Sequence, residues 1–378
     1  MKKRKFFFVT TIPSSLSFFI GQYQILKKDY DITAISSQHE QLNMFGIMQE
    51  INVHFIPMER EISLLKDLYG LLCFIIYFLY QRPYIVHGNT PKGSLLSMFA
   101  AWITRVPVRI YMCHGLRYQG FTGFKRKLLM FMERISCFCA TDIMCVSNGV
   151  KNVLKRDRIT KKEPIIIWNG SVSGIDVEKF NPDKNYDRVA LRSKCRLQET
   201  DFVLTFVGRL VKDKGIDELV RAYKELNLKY SNMKLLLVGP IESDGNPISE
   251  ETKNEIKENK GIISVGRQYD IPSYLAISDL FVFPSYREGF GLSLMEAGAM
   301  GVPSISSDIT GCNEVIIEGE NGLLIPSHSF QAIIEAVEYL YTNKSLYNKL
   351  KQNSRNSIIR RFEQKKLFNL YREYYVSK

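Results

Sequence analysis

Two carboxylates and two fixed cations in the second half of the chain sit where α/β proteins meet phosphorylated ligands. Arg209 and Lys214 lie in GRLVKDKG (208–215), directly after the apolar run FVLTFV (202–207). Gly208 and Gly215 let the backbone approach a phosphate at a strand-to-helix turn, and the helix N-terminus that follows favours an anion. The Arg209 guanidinium suits forked hydrogen bonding to phosphate oxygens, with Lys214 as a compact second charge. Glu288 and Glu296 are separated by seven residues in PSYREGFGLSLMEA (284–297). Glu288 belongs to a glycine-containing loop and Glu296 to the helix starting near Leu292. The amides of Gly289, Phe290, Gly291 and Leu292 are expected to form a second anion site, and the two carboxylates can accept hydrogen bonds from sugar hydroxyls. Taken singly, GRLVKDKG also fits a capped turn with exposed cations, and Glu288 a helix-dipole partner. The combination favours a ligand site.

These residues need rigid elements behind them. Near-continuous apolar runs at 5–11, 31–36, 84–87, 108–113, 143–146, 202–207, 234–238, 280–283 and 303–306 read as strands of parallel sheets covered on both faces. Helical stretches between them imply βαβ units and two doubly wound, Rossmann-like α/β domains. The turn-rich stretch SVSGIDVEKFNPDKNYD (171–187) marks the boundary. The expected layout is a first domain over 1–180, a second over 181–360 facing it across a cleft, and a helix over 361–378 packing back on the first.

The 378 residues are 45% hydrophobic and 24% charged, which fits a globular chain. The longest apolar run, Leu68–Tyr80, is shorter than a bilayer span and reads as a buried or interfacial helix. MKKRKFFFVTTIP imitates a signal peptide but ends early at Pro13 and reads as a first strand, which points to the cytosol. Seven cysteines without a CxxC pair suggest neither a disulfide framework nor a zinc site. Of the net charge of +12, residues 1–185 carry +11. Such a surface suits anionic membrane or phosphorylated substrates, or serves solubility. No nucleic-acid reading module is recognisable. The helix around FTGFKRKLLMFMER (121–134) combines basic and apolar residues, as an interfacial helix or as an ordinary amphipathic one with a solvated basic face.

The stretch FPSYREGFGLSLMEAGAMGVPSISSDITGCNEVI, with its two glutamates seven residues apart, closely resembles the signature of family 4 retaining glycosyltransferases of the GT-B fold. GRLVKDKG resembles that family's diphosphate-binding segment. HGNTPK (87–92), CHGLR (113–117) and GSVSGID (170–176) look like a bacterial branch that acts on polyprenyl-diphosphate-linked acceptors in surface polysaccharide or glycan assembly. The resemblance implies that Arg209 and Lys214 hold a donor diphosphate and that Glu296 accepts from ribose hydroxyls. It gives Glu288 to the donor sugar, with the amides of Phe290 and Gly291 assisting. Arg267, which follows a short strand, would border the base, and His114 would face the sugar from the first domain; a lone strand-end histidine also reads as structural. Ser15, His87, Lys92 and Arg117 are the acceptor-side candidates. The loop Ile12–Phe18 lacks the double glycine of many relatives and any evident acidic acceptor base.

The implied function is retaining transfer from a nucleotide sugar, UDP being the commoner nucleotide in the family, to a lipid-linked glycan. No cofactor and no metal are expected: no DxD pair stands at a strand end, and the two cations with helix amides can stabilise the departing diphosphate. No carboxylate offers itself as an enzymic nucleophile, so front-face attack is expected. Attachment to the inner face of the plasma membrane through the basic first domain would bring the chain to its acceptor. The competing readings are a nucleotide-sugar epimerase and a non-catalytic nucleotide-sugar-binding scaffold.

Overall fold

A computed structural model of the chain describes residues 3–59, 61–243 and 246–378. It divides into two units, one comprising 1–173 and 365–378, the other 174–364. Among the described residues each unit holds one six-stranded, wholly parallel sheet.

In the first unit the strands are β1 (Arg4–Val9), β2 (Tyr30–Ser36), β3 (Asn52–Phe55), β4 (Ile85–Gly88), β5 (Val108–Cys113) and β6 (Asp142–Cys145). Their spatial order is β3-β2-β1-β4-β5-β6. The apolar N-terminal run is therefore a central strand, with Phe6, Phe7, Phe8 and Val9 all buried. In the second unit β7 (Phe202–Val207), β8 (Met233–Val238), β9 (Ile262–Ser264), β10 (Leu280–Phe283), β11 (Ser304–Ser307) and β12 (Gly322–Ile325) run in the order β12-β11-β10-β7-β8-β9. Read from its other end, this is the order of the first sheet. Strand order reverses between β1 and β4 in one unit and between β7 and β10 in the other. Open α/β sheets bind ligands beyond the carboxyl ends of their strands at such a switch point.

The C-terminal helix Gln364–Val376 belongs, from Lys365 on, to the first unit. Tyr371 donates to the Ser171 carbonyl at 2.9 Å, Arg372 grips Asp29 with two nitrogens at 2.6 and 2.9 Å, and the Tyr375 ring stands edge-on to Phe6.

The apolar run near Leu68 forms a longer helix, Leu64–Gln81, that by length and composition alone is able to cross a bilayer. The buried alternative does not hold. Gly70, Phe74 and Phe78 face inward, whereas Leu65, Leu68, Leu72, Ile76 and Leu79 form an exposed apolar stripe at helical spacing.

Candidate active site

The loops after β7 and β10 meet at the switch point of the second unit, joined by backbone contact. Gly215 has φ +69°, and a Cβ there would stand 2.1 Å from the Pro284 carbonyl oxygen, so only glycine permits this approach. Asp213 is the hub of the junction. Its carbonyl accepts from the Tyr286 amide at 2.9 Å and the Ser285 hydroxyl at 3.2 Å. Its carboxylate accepts from Arg287 Nε at 2.8 Å, from Arg287 Nη2 and from Asn246 Nδ2.

Lys214 and Glu288, two of the expected site residues, meet at that junction. Lys214 forms an ion pair with Glu288, both side chains largely withdrawn from water, and Ser285 Oγ donates to the same Glu288 oxygen at 2.8 Å. Arg209 is exposed and bonded to Glu242 at 2.8 Å. Both cations are thus held by carboxylates at the mouth of the switch point. Glu296 lies on the short helix Leu292–Ala299, partly accessible, and its loss of hydration pushes the carboxyl up to about 7, with Lys179 pulling weakly the other way. Arg267 follows β9 and Gly266 and is exposed.

The expected second anion site needs correction. The Gly291 amide donates to the Gly311 carbonyl at 3.1 Å, tying the loop to the segment after β11, and the Leu292 amide donates to the Phe290 carbonyl at 2.9 Å as the loop turns into the helix. Among the described residues the amides of Gly289 and Phe290 have no protein acceptor, so they are the two left to a ligand. Gly208 directly follows β7, its own amide donating to the Val238 carbonyl at 2.9 Å.

In the first unit, His114 follows β5, beside the switch point. Its ring stacks on Phe18 (5.6 Å, 29°) and meets the edge of Phe19 (6.0 Å, 84°). Its Nε2 lies 3.1 Å from Asn89 Oδ1, and restricted hydration holds its pKa down to about 4, so the ring is neutral. Ser15 is half-buried on the 3₁₀ turn Pro13–Phe19. Arg117 is bonded to Glu61 at 3.2 Å at the surface.

Two acceptor-side expectations fail. His87 is fully buried among Phe6, Phe8 and Phe19, with Nε2 3.1 Å from the Tyr375 hydroxyl, and burial holds its pKa down to about 3. It stands one pleat below the end of β4 and is a core residue. Lys92 is also buried, paired with Asp67 at 2.7 Å and donating to the Glu61 carbonyl. It ties down the start of the helix Leu64–Gln81 and has no charge to spare for a phosphate.

Asn89, Asp213 and Ser285 were not singled out by sequence reasoning although all lie inside the motifs. Their signal was weak because each acts through a neighbour.

Residues 24–173 match the family described as Glycosyltransferase Family 4, and 187–357 match Glycosyl transferases group 1. The chain is 37% identical to the capsular polysaccharide biosynthesis glycosyltransferase CapM of Staphylococcus aureus, over 96% of this chain and 94% of that one. It is 28% identical to the UDP-Gal:alpha-D-GlcNAc-diphosphoundecaprenol alpha-1,3-galactosyltransferase of Escherichia coli, over 94% and 92%. The crystal structure of Anabaena Alr3699/HepE in complex with UDP has the same fold, with a TM-score of 0.82 over the whole of both chains at 17% identity. With the paired six-stranded sheets and intact motifs, these matches establish that the chain belongs to the family 4 glycosyltransferases of the GT-B fold.

Proposed function

We propose that this glycosyltransferase moves a sugar, with retention of configuration, from a UDP-sugar to a polyprenyl-diphosphate-linked glycan during surface polysaccharide assembly. The observation that carries the reading is that Arg209 and Lys214 follow β7 at the switch point of the second unit, with Lys214 paired to Glu288 from the loop after β10. The relatives from S. aureus and E. coli support the pathway and the lipid diphosphate by their descriptions.

The chemistry follows from charge. Breaking the glycosyl–phosphate bond leaves negative charge on the departing diphosphate. Arg209 and Lys214 change partners, from Glu242 and Glu288 to the diphosphate, and Glu288 becomes free to accept from donor-sugar hydroxyls. Glu296 receives the ribose hydroxyls and the amides of Gly289 and Phe290 face the donor. Preorganised donors of this kind lower the barrier without a metal ion. The incoming hydroxyl attacks from the face of the leaving group and passes its proton to a diphosphate oxygen.

Two exposed helical faces of the first unit suit a membrane that holds the acceptor lipid. One is the apolar stripe of Leu64–Gln81. The other, on Gly123–Cys139, presents Phe124, Lys127, Phe131, Arg134 and Phe138 along one side, alternating aromatic and basic residues. Aromatic and basic groups together anchor a helix at an anionic interface. The enzyme accordingly works as a peripheral protein at the cytoplasmic face.

The test is transfer from a panel of radiolabelled UDP- and GDP-sugars to polyprenyl-diphosphate acceptors, with the product anomer read by NMR and parallel reactions in EDTA. A lipid-linked product of retained configuration, formed in EDTA, is expected. An inverted anomer, or activity lost in EDTA and restored by Mg²⁺ or Mn²⁺, overturns the mechanism. Epimerised sugar nucleotide formed without any acceptor replaces the reading with the epimerase one.

A further inference from the structure

Asn89 directly follows β4 and is almost fully buried, its amide N–H donating to the Val9 carbonyl at 2.8 Å. Its side-chain nitrogen donates to the His87 carbonyl at 3.0 Å and reaches the Val9 carbonyl at 3.3 Å. Turning the amide over would place its oxygen against two carbonyl oxygens and lose both bonds, so this network fixes which end is which. The amide oxygen is therefore the atom that faces His114 Nε2 at 3.1 Å. A carbonyl oxygen only accepts, so Nε2 must carry the proton. In a neutral imidazole the other nitrogen is then bare.

We infer that Asn89 is a positioning residue that fixes His114 as its Nε2–H tautomer, so that Nδ1 is offered as a hydrogen-bond acceptor. Phe18 and Phe19 hold the ring on its face and edge, and Asn89 holds it at Nε2. Among the described residues Nδ1 has no protein partner, which leaves it for a ligand hydroxyl. The low pKa of His114 agrees, because an imidazolium would present a donor at Nδ1 instead. That the ligand hydroxyl is a sugar's rests on the proposed function; the tautomer does not. The arrangement selects for a group that donates at this position, as a sugar hydroxyl does and an ether or a phosphate oxygen does not.

The test is ¹⁵N-detected long-range NMR of the histidine rings in the full-length protein, with His114 assigned through a His114→Gln variant. Wild-type His114 should show a protonated Nε2 and a bare Nδ1 from pH 5 to 8. A protonated Nδ1 overturns the inference, whatever the enzyme's activity. Asn89→Ala should give mixed tautomers and a kcat lowered roughly tenfold or more, with UDP affinity within twofold, since a small misplacement of a positioned group costs about that much. An Asn89→Ala enzyme with an unchanged tautomer and unchanged kcat also overturns it. Should Asn89→Ala fail to fold, the wild-type spectrum alone decides. Absence of transfer from any donor, with the tautomer as stated, counts against the proposed function and leaves the tautomer standing.

Discussion

On the proposed function, Glu296 couples donor binding to a proton. Dehydration on the helix Leu292–Ala299 raises its carboxyl to about 7, so near neutrality the empty enzyme is half protonated there. Ribose hydroxyls need the ionised form as acceptor, so binding must expel the proton. With UDP-glucose as probe, whose diphosphate has no group titrating in this range, about half a proton should be released per binding event at pH 7, and nearly one at pH 6. The free enzyme binds more protons than the complex, so affinity rises with pH, roughly tenfold from pH 6 to pH 8. Isothermal titration calorimetry in two buffers of different ionisation enthalpy measures the release directly. Glu296→Gln should abolish it, flatten the pH dependence and weaken binding by about 1.5–3 kcal/mol at pH 8. The same substitution should stabilise the empty protein at pH 8. The unfolded carboxyl ionises near pH 4.5 and the folded one only near 7, so the wild type is spared this cost below 4.5 and bears it increasingly above, on the order of 1–3 kcal/mol once discounted for partial exposure. Binding without proton release at pH 7, or a Glu296→Gln variant that keeps the wild-type pH dependence, refutes the reasoning.

Other substitutions separate the site from its supports. Lys214→Ala and Arg209→Ala should each lower kcat by about 10²–10³, as loss of a preorganised donor does, seen in steady-state transfer kinetics. His87→Phe should leave acceptor KM unchanged and lower stability by about 1–3 kcal/mol, because the Tyr375 hydroxyl loses its partner; urea unfolding and KM decide this together. Lys92→Met should destabilise by up to about 3 kcal/mol through the stranded Asp67 carboxylate, with donor binding intact by calorimetry. Replacing Phe124, Phe131 and Phe138 by serine should abolish sedimentation with anionic vesicles while UDP binding stays the same, and wild-type sedimentation should weaken with salt.

Most of the framework was readable because parallel strands buried on both faces are written as unbroken apolar runs. β7 and β8 are such runs, and the motifs follow strands of this kind directly. β3 and β12 were not anticipated. Each is four residues long at a sheet edge, and Asn52-Val53-His54-Phe55 is partly exposed, so its polar–apolar alternation is too short to stand out from a loop. The errors at His87 and Lys92 share one cause. A strand-end or helix-start position says that a side chain is near a ligand crevice, not how deep it lies. His87 sits one pleat too low, and Lys92 is drawn to Asp67, 25 residues away in sequence. The meeting of Lys214 and Glu288 was easier to read because the spacing of their motifs ties them to two loops at one switch point. Asn89 and Asp213 escaped notice because they act through hydrogen bonds to other side chains and to main-chain atoms, which no local pattern records.

The central claim is that Arg209 and Lys214 receive the donor diphosphate while Glu296 receives the ribose. A crystal structure with UDP measures this most directly. Diphosphate oxygens within hydrogen-bond distance of both cations, with Lys214 released from Glu288 and the ribose hydroxyls on Glu296, is the expected result. A nucleotide seated elsewhere, or bound at this place with the Lys214–Glu288 pair intact and Glu296 untouched, would contradict the account.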